Sequence, residues 1–237
     1  MTPALRRLTH TIGVDLRLQR RNGLPVFTAV ALILLVAVVR TLLPPDLAQA
    51  AMPGLLFMFV GATAFAFASA QVLFERGDRT LDALAVTPLR TREYLLSKLI
   101  TLAGLATLEG TLFVLLTLGV TRAFPLLLAG IVIQGALATV TGLVVVARYR
   151  SVTNFLITSP LFVAPLFLPI VTLVSPWHHP LLYLWPTMPA LVLFEGAITG
   201  IRPGQLLYAL AFGATVVVAG LAWSRAAFDA HVLRTAA

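Results

Sequence analysis

Chemistry by side chains needs acids, bases or nucleophiles set close together, and this chain offers few. Of its 237 residues, 9 are Asp or Glu, 4 are His and none is Cys. Disulfides and thiolate metal sites are therefore excluded. Glu109 stands alone in a long apolar run. A charge buried in hydrocarbon costs roughly 3 kcal/mol on insertion scales, so Glu109 must face an interior, water or a partner. Two readings follow: a cation-attracting or proton-linked residue on a polar path, or a protonated acid hydrogen-bonded at a subunit interface. Glu195 either gates such a path or touches water at its mouth. His178 and His179 are adjacent and so point to different faces, which makes joint metal binding unexpected. Beside Trp177, Tyr183 and Trp185 they fit interfacial anchoring better. No Ser-His-Asp order, H-E-x-x-H, paired-carboxylate or lipid-synthase pattern is visible, and no G-x-x-x-x-G-K-[ST] phosphate loop. Catalysis within the chain is not expected.

The elements that hold these residues follow from composition. Hydrophobic residues make up 59% of the chain and charged ones 11%, with a mean hydropathy of +0.96. Soluble domains run near 45–50% apolar and about 25% charged, and a chain this short could not hide so much apolar surface from water. A polytopic all-α membrane protein is expected, with one domain over 1–237. Apolar runs long enough to span lie at 25–43, 51–73, 99–120, 125–147, 153–174 and 204–224. The stretch 181–201 is also apolar, but Pro186, Pro189, Gly196 and Gly200 interrupt it. It reads as a re-entrant or surface-lying helical pair within an outer segment, 175–203, packed on neighbours that satisfy its backbone.

Residues 1–24 carry Arg6, Arg7, Arg17, Arg20 and Arg21 without the uninterrupted apolar core of a signal peptide. Leu5, Leu8, Ile12 and Leu16 recur at helical spacing, which predicts an amphipathic helix in the headgroup plane. With six spans, fourteen basic residues fall on one side and three (Arg40, Arg122, Arg202) on the other. That asymmetry puts both termini in the cytoplasm. It also explains the net charge of +8 without nucleic acid, since the positive charge faces anionic lipid. Glycines recur in the third and fourth spans, Gly110, Gly130 and Gly142 among them, and let helices approach closely. Phe57, Phe59, Phe65 and Phe67 could line an aromatic path, but spacing of two spreads them over different faces, so at least half should meet lipid.

The densest polar stretch, 74–98, joins the second and third spans. Asp78 or Thr80 can cap a short helix whose apolar stripe is Leu81, Leu84 and Ala85, stopped by Thr87-Pro88. Such a helix can enter a groove on a soluble partner or rest on the membrane. The wording of the segment tips the balance. Glu75-Arg76, then Thr80-Leu81-Asp82-Ala83-Leu84-Ala85-Val86-Thr87-Pro88-Leu89, then Glu93-Tyr94-Leu95-Leu96-Ser97-Lys98 resembles the coupling-helix signature of type-2 ABC exporter permeases. Arg79 stands where that family usually has Gly. Tyr183-Leu184-Trp185-Pro186-Thr187-Met188-Pro189-Ala190 looks most like the permeases annotated for fluoroquinolone export.

The resemblance implies a membrane subunit that exports a hydrophobic or amphipathic compound. A separate ATP-binding subunit would hold ATP and magnesium, and a second permease copy or homologue would complete a dimer. It implies a place in a prokaryotic-type cytoplasmic (inner) membrane and ATPase coupling through Glu75, Arg76, Thr80, Leu81, Asp82, Leu84, Thr87 and Pro88; the residues themselves suggest a substrate path past Phe65, Glu109 and Glu195. An intramembrane lipid- or peptide-modifying enzyme and a non-transporting scaffold are the alternatives.

Overall fold

A computed structural model of the chain describes residues 3–78, 90–149, 151–175 and 179–230. Helix α1 (Pro3–Arg21) turns at Gly23, whose φ of 73° lies in the left-handed region, into α2 (Leu24–Leu42). There follow α3 (Pro45–Gly77), α4 (Thr91–Thr117), α5 (Phe124–Val146) and α6 (Val152–Leu166). A 3-10 turn (Leu168–Ile170) and the short α7 (Val171–Val174) continue α6. Another 3-10 turn (Pro180–Leu184), α8 (Met188–Thr199) and α9 (Pro203–Phe228) complete the order. Prolines sit in the first turn of α2, α3, α5, α8 and α9, where the missing N–H costs nothing.

Among the described residues five helices (α2, α3, α4, α5 and α9) are long and apolar enough to cross a membrane. The pair Val152–Leu166 and Leu168–Val174, bent by 47°, makes a sixth if it is one span. At 12 residues α8 is too short to cross. Helix α3 has 33 residues and α4 has 27, or about 50 and 40 Å at 1.5 Å per residue. Both exceed a hydrocarbon core of about 30 Å, and Glu75 and Glu93 lie at their charged ends.

Helix α5 is the hub, packed against α3, α4, α8 and α9. Bare backbone makes this possible. A Cβ on Gly142 would stand 2.8 Å from the Phe65 carbonyl oxygen, and one on Gly130 would stand 2.5 Å from the Phe194 ring. The phenylalanines of α3 turn inward more than their spacing suggests: Phe57, Phe65 and Phe67 are buried. The α3 helix is wrapped on several sides, by α2, α4, α5, α6 and α8, so faces that would otherwise meet lipid meet protein.

Helix α1 packs on α4 with a polar face. Asp15 and Gln19 are buried, while Leu5 and Leu16 of the apolar stripe are exposed. Helix α6 carries Pro160 and Pro165 within it. With no N–H on Pro160, the Leu156 carbonyl loses its helical donor, and the Ser159 hydroxyl donates to it at 3.3 Å.

Candidate functional site

The richest polar chemistry lies where α3 ends and α4 begins, at the two roots of segment 79–89. Lys98, on the second turn of α4, is fully buried, with an exposed fraction of 0%. A lone ammonium there would be costly. Its Nζ donates to Asp15 Oδ1 of α1 and to Glu75 Oε1 of α3, and lies 5.0 Å from the Tyr94 ring centroid. Both carboxylates are held from their other oxygens. The Tyr94 hydroxyl donates to Glu75 Oε2 at 2.7 Å, and the Ser97 hydroxyl donates to Asp15 Oδ2. Gln71 Nε2 adds a longer bond to Glu75 Oε1, 3.4 Å. Three helices thus meet through one buried ammonium and two carboxylates.

The next residue carries the linkage to α5. The Arg76 guanidinium donates to the carbonyls of Tyr149 and, at 2.9 Å, Ala147. Ala147 caps α5 and Tyr149 lies three residues past its last residue, Val146, so the guanidinium sits just beyond the helix end, at the negative end of its dipole. Two further ion pairs brace the perimeter. Arg7 of α1 grips Glu93 at 2.7 Å, and Arg21 at the end of α1 meets Asp78 at the end of α3. The hydrogen bond from Arg7 to Glu93 raises the guanidinium's already high pKa. Glu93 also accepts from the Arg90 backbone N–H at 3.2 Å, closing the first turn of α4. The end of α9 joins in: Thr91 donates to Asp229 at 2.9 Å, and Tyr94 and Phe228 place their ring centroids 5.8 Å apart. Because α1 and the end of α9 both meet the start of α4, the two described chain ends lie at one end of the bundle.

Of the residues the sequence singles out for coupling, Glu75 and Arg76 are in this cluster. Thr80, Leu81, Asp82, Leu84, Thr87 and Pro88 lie outside the described residues, as do Trp177 and His178. Asp15, the residue that balances Lys98 from α1, was missed by sequence reading. A signal existed, since Asp15 is the sole acid in residues 1–24 and Lys98 the sole lysine of the chain.

The residues assigned to a path are scattered. Glu109 on α4 is 0% exposed within the chain. The Thr63 hydroxyl of α3 donates to the Phe59 carbonyl at 2.8 Å. Both carboxyl oxygens of Glu109 are left without a full hydrogen bond among the described residues. Phe65 is buried and stacks on Phe155 of α6, with centroids 6.1 Å apart. Glu195 is half-buried on α8.

The far end of the bundle is held by neutral groups. Pro169 has no N–H for the Pro165 carbonyl four residues earlier, and the Trp185 indole N–H donates to it instead, at 2.8 Å. Ile170 N–H turns to Phe167, and the Thr187 hydroxyl fills the place it leaves at the Leu166 carbonyl, at 2.7 Å. Tyr208 of α9 donates to the Tyr183 carbonyl.

Membrane-length helices around a small-residue hub, tied at one end by a buried ion cluster, define a multi-pass integral membrane protein. Residues 6–236 match the model of the fluoroquinolones export permease protein family. The chain is 30% identical over 232 residues to the fluoroquinolones export permease protein of Mycobacterium tuberculosis strain CDC 1551, covering 96% of this chain and 97% of that protein. The same figures hold for the protein of that name in strain H37Rv. The chain belongs to this permease family and is a membrane transport subunit rather than an enzyme.

Proposed function

We propose that the chain is the membrane half of an ATP-driven exporter, worked through segment 79–89 by a separate ATP-binding subunit that holds ATP and magnesium. Both termini are cytoplasmic, and α1 lies in the headgroup plane with Leu5 and Leu16 toward lipid, the face left exposed here. Segment 175–203 enters from the outer side, and a second permease copy or homologue completes the path. The substrate is a hydrophobic or amphipathic small molecule. The relatives' name makes fluoroquinolones the first compounds to test. Phe65, Glu109 and Glu195 are the path residues of this reading. Glu109 is foremost, because both its buried carboxyl oxygens are without a hydrogen bond among the described residues.

One observation carries the reading. Both roots of 79–89 are fastened to each other and to α1 by the Lys98, Asp15 and Glu75 cluster, and to α5 by Arg76. A push on the segment therefore moves four helices together. A surface loop with no load to transmit has no use for such costly burial. The test is ATP-dependent uptake of a fluoroquinolone into inverted vesicles bearing this chain and its ATP-binding subunit. Leu84→Asp should abolish both capture of the ATPase and uptake while the chain still inserts. Undiminished uptake by that variant, or labelling of a cysteine at position 80 from outside intact cells, would overturn the proposal.

A further inference from the structure

Two cavities meet between α4 and α9 at the end of the bundle that carries α1. One, of about 350 Å³, is an apolar slot lined by Leu95, Leu96, Val218, Leu221 and Ala222, with Arg92 and Arg225 at its rim. Those two arginines also line the other, a polar mouth of about 360 Å³ completed by Arg90, Thr91 and Asp229. The slot reaches Val218, seven residues before Arg225 and so about 10 Å further along the helix. Its outer edge is open to the surroundings, with Val218 68% exposed. The mouth carries three guanidinium groups against one carboxylate. Asp229 is engaged by Thr91 at 2.9 Å and stands 3.7 Å from Arg225. Glu93, next along α4, is committed to Arg7. Arg90 and Arg92 make no ion pair among the described residues.

From this juxtaposition we infer a binding site for an anionic phospholipid, its phosphate against Arg90, Arg92 and Arg225 and one acyl chain in the slot between α4 and α9. The chemistry requires both parts. A free phosphate would leave an apolar slot open, and a zwitterionic lipid would bring its own cation to a mouth already rich in them. An acidic peptide would carry unpaired backbone polar groups into a groove that opens on the flank of two membrane helices. Basic pockets between membrane helices at headgroup level are suited to anionic headgroups. Arg90 and Arg92 directly follow segment 79–89, so a bound lipid also pins the start of α4 to the end of α9.

Native mass spectrometry of the full chain in detergent, titrated with phosphatidylglycerol, with phosphatidylcholine of the same acyl chains and with inorganic phosphate, tests this. Phosphatidylglycerol should bind in preference to both others. Each basic residue near a charged headgroup contributes about fivefold, so Arg92→Gln with Arg225→Gln should weaken phosphatidylglycerol about thirtyfold. Ala222→Phe, which fills the slot, should weaken it too. Arg17→Gln with Arg20→Gln removes the same charge from exposed positions on α1 and should leave the affinity as it was. Equal binding of phosphatidylcholine or of phosphate alone would overturn the inference. So would wild-type affinity in the Arg92/Arg225 pair or in Ala222→Phe, or an equal loss in the α1 control. The two slot variants are at exposed positions and act independently, so either one decides if the other fails to fold.

Discussion

The two ends of the bundle are fastened by different chemistry. At the end carrying α1, helices distant in sequence are joined by charged groups: Lys98 to Asp15 across 83 residues and to Glu75 across 23, and Arg76 to α5. At the other end the bonds are neutral, and each answers a local vacancy. Trp185 and Thr187 supply donors to Pro165 and Leu166 carbonyls that the prolines and 3-10 turn of the α6 region leave unpaired. A buried ion cluster is intolerant of partial breakage, because losing one member strands the others. A single hydroxyl-to-carbonyl bond is worth about 1 kcal/mol and can be remade elsewhere. The charged end is cross-linked as one piece, whereas the neutral end accommodates a bend of 47°.

That contrast is tested hardest at Lys98. Lys98→Met leaves Asp15 and Glu75 buried without their cation, and removing one partner of a buried pair costs about 3–5 kcal/mol. Thermal unfolding in detergent should show that loss, against a total stability of about 5–15 kcal/mol. Adding Asp15→Asn and Glu75→Gln should recover part of it, since the stranded charges then disappear. A Lys98→Met chain that melts like the wild type would erase the distinction between the ends. Arg76→Ala comes next. It removes charge-assisted bonds to two carbonyls just past the end of α5, and about 2 kcal/mol of destabilisation is expected. Arg76→Lys should restore only part, because a single ammonium cannot reproduce the fork.

Between the two ends, stability rests on close backbone approach rather than on polar groups. Gly142→Ala would drive a Cβ to 2.8 Å from the Phe65 carbonyl oxygen and 3.0 Å from the Ala68 Cβ. Neither is the free end of a flexible side chain, so α3 and α5 must part. Overpacking of this kind costs about 1–3 kcal/mol, measurable by the same melting experiment. If Gly142→Ala is neutral, the hub at α5 is looser than its contacts imply.

How much of this was legible in the sequence differs along the same line. Apolar runs set the spans well: 25–43 against Leu24–Leu42 and 125–147 against Phe124–Val146. The errors lie where helices outrun the apolar signal, as α3 does by reaching from Pro45 to Gly77 and α4 by starting at Thr91. Those overhangs are polar, and hydropathy is blind to them. Glu75 and Arg76 were legible as members of a motif but not as neighbours of Asp15 or of the carbonyls at 147 and 149. Periodicity tells which face a residue occupies, not which helix meets that face. In α1, Asp15 and Gln19 pack inward while Leu5 and Leu16 stay exposed, and the repeat of the leucines does not tell that the polar face meets α4. An apolar stripe beside a membrane need not point to protein. Glu109 was legible as an anomaly, and the unsatisfied carboxyl that makes it a path candidate is a fact of packing.

The smallest expected effect is at Thr187. Thr187→Val keeps the shape of the side chain and removes only the hydroxyl that donates to the Leu166 carbonyl at 2.7 Å. If the neutral end is a set of local repairs, the loss is one ordinary hydrogen bond, about 1 kcal/mol. That corresponds to a melting shift of about 2–4 °C for a chain of this size. Trp185→Phe, which keeps the ring and removes the N–H to Pro165, should shift melting by a similar amount. The two carbonyls are adjacent on one bend, so the double variant should fall short of the sum as the bend relaxes. A Thr187→Val loss as large as that of Lys98→Met would mean the break in α6 is held under load. The neutral end would then be a second rigid lock, and the two ends would work against each other during transport.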